Sequence, residues 1–68
     1  MEATQALLDE AQACVIGGRL DDAQRKLESA AALDPANPAI HHAIGVVAYR
    51  RGHFEESVAA LRRAVELH

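Results

Sequence analysis

The fold is decided by the stretch GRLDDA at residues 18–23, because it recurs as GHFEES at residues 52–57. Further pairs keep the interval from Gly18 to Gly52 without an insertion. The pairs at this interval are Cys14/Ala48, Gly18/Gly52, Leu20/Phe54, Ala23/Ser57, Leu27/Leu61, Ala30/Ala64 and Leu33/Leu67. A fixed period of this length indicates a stack of similar supersecondary units. Each unit in such a stack contacts only its neighbours, so the repeat predicts a protein that binds along an extended face.

The composition predicts one small domain over residues 1–68. Half of the residues are apolar, but many are alanine, and the chain has one Phe, one Tyr and no Trp. So short a chain must gain its stability from close helix packing, because surface outweighs interior. The net charge of -3 provides no basic patch for nucleic acid or for a membrane, so neither is an expected partner.

The cellular setting is predicted from what the sequence lacks. The single cysteine, Cys14, cannot form an internal disulfide, which fits a reducing compartment or indifference to redox state. The first residues, Met-Glu-Ala-Thr, lack the basic and then apolar pattern of a signal peptide. No apolar run is long enough to span a bilayer. A cytoplasmic setting is the default expectation, although a trimmed export signal would leave no trace.

Four helices are predicted, at about residues 4–16, 21–33, 38–51 and 54–67. Gly17-Gly18 ends the first helix and Gly52 ends the third, since glycine takes the left-handed conformation that closes a helix. The stretch at residues 34–38 breaks the chain in the middle, with Asn37 as a cap and Pro38 at the first helical position. Short glycine turns make each pair of helices an antiparallel hairpin.

Apolar and small residues predict how these helices pack. Small side chains at Ala11 and Gly45, facing Ala23 and Ser57, let two helix backbones approach closely. Two apolar stripes at spacings of three and four are expected to face inward. They are Leu20, Ala23, Leu27, Ala30, Ala31 and Leu33 on the second helix, and Val58, Leu61, Ala64 and Val65 on the fourth. Asp21 and Asp22 stand four residues before Arg25 and Lys26, which predicts two ion pairs along the second helix.

These positions resemble the tetratricopeptide repeat, a degenerate motif of about 34 residues. Its small positions match Ala11, Ala23 and Ala30 in the first copy, and Gly45, Ser57 and Ala64 in the second. Leu33-Asp34-Pro35 matches the closing Leu-Asp-Pro. The sequence departs from the family at Glu10, His41 and His68. The resemblance implies an all-α fold of two stacked antiparallel helix-turn-helix repeats, at about 4–37 and 38–68, in a right-handed superhelical solenoid.

The resemblance also implies a partner-binding groove lined by the first helix of each repeat. Its lining would be Gln5, Leu8, Asp9, Gln12, Val15, Ile16, Ala39, His42, Ala43, Val46, Tyr49 and Arg50. Members that grip a peptide carboxylate use paired Asn and Lys or Arg, and those places here hold other residues, so such a clamp is disfavoured. An apolar strip remains, which suits an amphipathic helix or an apolar peptide. Leu8 and Tyr49 favour surface contact, whereas Val15 and Val46 fit groove and core equally.

The predicted function is thus non-catalytic protein–protein interaction, as an adaptor for a protein or peptide. The alternative is a self-associating scaffold unit that pairs with a second copy through Val58, Leu61 and Val65, or a piece of a longer repeat array. No cofactor is expected. The four histidines lack the spacing of a metal site. Cys14 fits a small buried core residue better than a nucleophile. The pairs Asp21/Asp22 and Glu55/Glu56 fit helix starts, and Arg50/Arg51 and Arg62/Arg63 fit a solvated face.

Overall fold

The computed structural model describes residues 2–68, with Met1 outside that range, as four α-helices and no strand. The helices are α1 Glu2–Ile16, α2 Leu20–Leu33, α3 Pro38–Arg50 and α4 Phe54–Leu67. Every predicted helix is present, and the boundaries differ from the prediction by two residues at most. The predicted all-α fold of two helical hairpins is confirmed.

The two hairpin turns have the same hydrogen-bond pattern, in the register of the sequence repeat. In the first, Arg19 N–H donates to Cys14 O at 2.8 Å and Gly18 N–H donates to Val15 O at 3.1 Å. The second turn repeats both bonds at His53 and Gly52. This pairing closes a helix when one residue takes a positive φ. Gly18 has φ of 78° and Gly52 of 81°, which only glycine adopts without strain.

Replacing Gly18 or Gly52 by Ala should therefore destabilise the fold by about 1 to 2 kcal/mol, the cost of a left-handed L-residue. An added Cβ would meet nothing within 4 Å at either position, so the cost is purely conformational. Urea unfolding followed by circular dichroism measures it. Gly17→Ala is the matched control, because φ there is not positive and its Cβ would make ordinary contacts. Equal loss at Gly17 and Gly18 would contradict this account.

The link between the hairpins is held by side-chain hydrogen bonds. Asn37 Oδ1 accepts from Ala39 N–H at 2.9 Å, which confirms its predicted role as the cap of α3. Asn37 Nδ2 donates to Asp34 Oδ2 at 3.1 Å. His41 Nε2 lies 2.7 Å from Pro35 O, and because a carbonyl only accepts, this ring nitrogen donates. His41, a departure from the family pattern, thereby fixes α3 against the link that precedes it.

Small side chains bring the helices of each hairpin close together. In the second hairpin a Cβ added at Gly45 would lie 2.7 Å from the Leu61 side chain, because Leu61 already fills the space beside this glycine. Ser57 Oγ donates to Gly45 O at 2.7 Å and is buried. Ala11 and Ala23, both buried, stand at the matching places of the first hairpin. The predicted close crossing is confirmed in both copies.

One core joins the hairpins, because α2 of the first packs against α3 of the second. Leu27 is fully buried at its centre. The other buried apolar residues are Ala11, Cys14, Ala23, Ala30, Ile40, Val47, Ala48 and Ala64. Since so many of these are alanine, the core depends on the short distance between helices more than on large side chains.

Enlarging a buried alanine of this core should overpack the contact between helices. Ala30 is fully buried, so Ala30→Leu is expected to lower the free energy of unfolding by about 1 to 3 kcal/mol. Ala32 lies on the same helix but is exposed, so Ala32→Leu should change it by less than about 0.5 kcal/mol. Denaturant titration of both variants gives the comparison. A similar response at the two positions would show that the contact has room.

The predicted ion pairs along α2 are wrong in their partners. Asp22 contacts Arg25, three residues on, at 2.8 Å rather than Lys26. Lys26 instead reaches across to Glu10 of α1 at 2.8 Å, and Asp21 meets Arg51 of the second hairpin at 3.0 Å. These long-range ion pairs form because the Lys26 and Arg51 side chains are long enough to reach a carboxylate on another helix. Glu10 thereby acquires a role in closing the first hairpin.

The Glu10 pair gives a pH dependence with a defined sign. The hydrogen bond to Glu10, and then the charge of that carboxylate, raises the pKa of Lys26 above its ordinary 10.5. A raised pKa means that the stabilisation is present below that ordinary value and is lost as pH rises through the folded value. Wild type should be slightly more stable than Glu10→Gln at neutral pH, and the two should converge in strong alkali.

Urea unfolding at a series of pH values tests this pair. Glu28→Gln is the control, since Glu28 is exposed and makes no ion pair within residues 2–68. An offset between wild type and Glu10→Gln that persists unchanged above the pKa of Lys26 would rule out the pair as its source.

The inward-facing stripe predicted for α4 is wrong at three of its four residues, Val58, Leu61 and Val65. Val58 is 55 % exposed and Val65 is 75 % exposed, and only Ala64 of the predicted set is buried. Within residues 2–68, α4 packs against α3 alone, so one side of it has no neighbour. Leu33 of α2, also predicted inward, is half exposed at the end of its helix.

Candidate functional site

An apolar groove lies between α1 and α3 and encloses about 520 Å³. Its floor is formed by buried core residues from three helices: Ala11, Leu27 and Val47. Above the floor, apolar side chains from both walls add to the lining: Leu8, Val15, Ile16, Ala39, Ala43 and Val46. A concave apolar surface whose base is already part of the core needs no rearrangement to receive an apolar ligand.

Polar side chains surround this apolar surface. Gln5, Asp9 and Gln12 lie on the α1 side, and His42 and Arg50 lie on the α3 side. Gln5 Nε2 donates to Asp9 Oδ1 at 3.0 Å, which fixes the carboxylate in place. Arg50 makes no ion pair within residues 2–68, although Arg51 beside it binds Asp21. The groove therefore has one negative and one positive group on opposite walls.

The structure brings together eleven of the twelve residues expected to line the groove and leaves out Tyr49. Tyr49 lies over α4, where its ring meets Phe54 edge to face at a centroid distance of 5.4 Å. Its counterpart, Val15, faces the next hairpin and so lies in the groove. Because the same register on α3 faces away from α1, Tyr49 lines a separate hollow beside Leu61.

The apolar residues of the groove walls also take part in the packing of the protein. Val15 is half-buried and packs on the central core while also lining the groove, so it does both. Leu8, expected to favour surface contact, packs on the same core and is likewise half-buried. Val46 is half-buried and lines both the groove and the hollow next to Tyr49.

The cysteine and histidine side chains that could act as nucleophiles or metal ligands do not form a cluster in the part of the chain that the structure describes. No group of three metal-ligating side chains occurs among residues 2–68. Cys14 is 7 % exposed and belongs to the core, which confirms its predicted packing role. His53 lies 3.7 Å from Glu56 and His41 donates to the link, so each has a local structural partner. None of the helices described is long and apolar enough to cross a membrane.

A second apolar surface lies on α4 and includes a residue that the sequence analysis did not select. Phe54, at 59 % exposed, continues the row formed by Val58, Leu61 and Val65. We call these four residues the α4 stripe. The spacing of four, three and four residues was visible in the sequence and would have identified Phe54. Beside the stripe, on the α3 side, lie two mainly apolar hollows separated by Leu61.

Comparison with known proteins gives the family. No curated protein matches the chain. A family model described as tetratricopeptide repeat matches residues 15–68, which include the end of α1, all of α2 and the whole second hairpin. Repeats of this family generally mediate protein–protein interaction and are typically non-catalytic. With four helices in two hairpins of identical register, the chain belongs to the tetratricopeptide repeat family.

Proposed function

We propose that this protein binds an amphipathic helix or an apolar peptide of a partner protein in the groove between α1 and α3. The observation that supports the proposal is an apolar floor and walls bordered by polar side chains in one concave surface. An amphipathic segment matches that distribution, since its apolar face lies on the floor and its polar edges meet the rim.

The length of the groove limits the size of the ligand. The helix α1 has 15 residues and so extends about 22 Å, which accommodates about four turns of a bound helix. Over this length the bound segment would present apolar residues at spacings of three and four. Large apolar anchors are expected above Ala39 and Ala43, because these are the smallest side chains of the α3 wall and leave the most room.

The charges on the two walls favour one arrangement of the ligand. Asp9 on α1 attracts a basic side chain, and Arg50 near the end of α3 attracts an acidic one. The preferred segment therefore carries a base on the edge next to α1 and an acid near the end of α3. Such charges contribute more to orientation and association rate than to affinity. The adaptor role, and a cytoplasmic setting for it, stay predictions.

Selection from a displayed library of random helical peptides tests the proposal. We expect peptides enriched on the wild-type protein to lose at least about tenfold in affinity for Val46→Asp, because a carboxylate would be desolvated against their apolar face. Arg50→Glu should weaken those peptides that carry an acidic residue, by roughly fivefold. Fluorescence titration of labelled peptides measures both.

Arg63→Glu is the matched control for the charge change, because Arg63 is exposed on α4 and lines none of the groove. Circular dichroism and thermal unfolding establish that each variant keeps its helices. Leu8→Ala is a poor test, since Leu8 also supports the core. Enriched peptides that bind Val46→Asp as tightly as wild type would exclude the groove as their site.

A further inference from the structure

We infer that a second copy of this chain binds the α4 stripe, with the two α4 helices antiparallel. The stripe is Phe54, Val58, Leu61 and Val65, four apolar residues that are between 36 % and 75 % exposed. Exposed apolar rows of this kind are uncommon on isolated domains and mark contact surfaces. The groove between α1 and α3 shares Val46 and Arg50 with the hollow beside Tyr49, but none of the four stripe residues lines it, so this inference does not depend on the proposed peptide binding.

The spacing within the stripe is that of a two-helix seam. Its steps are four, three and four residues, which keeps all four side chains on one narrow side of α4. In heptad terms Phe54 and Leu61 occupy d positions and Val58 and Val65 occupy a positions. In an antiparallel pair each a position meets a d position of the other copy, so every layer combines a valine with a larger apolar side chain.

The internal repeat supplies a comparison for this helix. The equivalent positions on α2, one repeat earlier, are Leu20, Gln24, Leu27 and Ala31, and α3 covers that side of α2. Leu27 is fully buried there, whereas Leu61 is 36 % exposed. At three of the four positions the uncovered helix carries the more apolar or the larger residue: Phe54 for Leu20, Val58 for Gln24, and Val65 for Ala31. The stripe thus has more to gain from being covered than the side of α2 that α3 covers.

Charges next to the stripe select the occupant and its direction. Glu55 and Arg62 lie seven residues apart at the edge of the stripe that faces away from α3, and neither makes an ion pair within residues 2–68. In an antiparallel pair Phe54 packs on Val65 of the other copy, and Val58 packs on its Leu61. Glu55, between Phe54 and Val58, then lies opposite Arg62 of the other copy, between Leu61 and Val65. The two-fold symmetry produces this pair of opposite charges twice. A copy of the same helix is therefore complementary in charge as well as in shape.

A parallel pair lacks this match. In heptad terms Glu55 and Arg62 occupy e positions and Ser57 occupies a g position, and in a parallel pair e positions face g positions. Arg62 would then meet Ser57, which is buried and donates to Gly45 O. In the antiparallel arrangement the other edge of the stripe lies over the two hollows between α3 and α4. Tyr49 and Val46 line one of them, so α3 of each copy adds apolar surface to the contact.

Sedimentation equilibrium over a wide dilution range tests the inference on the intact chain. The helix α4 has 14 residues, about 21 Å, so the interface is at the small end of specific ones and a dimer Kd on the order of 10 µM is expected. Arg62→Glu places like charges together in both pairs and should weaken the dimer about tenfold. The double variant Glu55→Arg with Arg62→Glu should restore the wild-type Kd within roughly twofold.

Arg63→Glu makes the same change of charge away from the stripe and should leave the Kd unchanged. Val65→Asp, at the most exposed stripe residue, should abolish the dimer while circular dichroism still shows the wild-type helix content. A wild-type chain that stays monomeric at about 1 mM overturns the inference. A dimer in which the double variant is no better than Arg62→Glu overturns the antiparallel register.

Discussion

The structure depends on how closely the two helices of each hairpin approach. In the second hairpin this distance is set by Gly45, where a Cβ would lie 2.7 Å from the Leu61 side chain. The Ser57 hydroxyl uses the same closeness to reach Gly45 O at 2.7 Å. A chain with one Phe and one Tyr cannot fill a wide core. Small residues at the crossing instead let the helices lie close enough for short side chains to pack without voids. The glycine turns at Gly18 and Gly52 then fix the antiparallel direction.

From this constraint follows a difference between two otherwise equivalent hairpins. The first has α3 against its outer side, and Leu27 is fully buried there. Leu61 stands in the same register of the second and is 36 % exposed, because within residues 2–68 α4 meets only α3. The repeat thus produces one core from two units, and within residues 2–68 the equivalent apolar surface of the second unit is exposed.

Two kinds of feature were predicted correctly from the sequence: those that neighbouring residues determine, and the helix crossing that the repeated small residues mark. Helix boundaries, both glycine closures and the Asn37 cap depend on backbone groups a few residues away. The errors concern long-range contacts. Lys26 was assigned to its own helix but reaches Glu10 on α1, because a long side chain chooses among neighbours that only the fold provides. The same limit applied to Tyr49, whose register matches Val15 but which, within residues 2–68, lies beside Phe54 and Leu61 of α4.

Both candidate surfaces share α3, and that helix contacts each of the other three. Its α1 side contributes His42, Val46 and Arg50 to the groove, while Val46 also lines the hollow beside the α4 stripe. The half-buried Val46 side chain therefore lies at the border of two solvent-facing surfaces. A substitution at Val46 consequently affects both surfaces, whereas one at Phe54 or Val58 affects the stripe alone. Substitutions on α1 or α4 therefore distinguish the two surfaces most clearly.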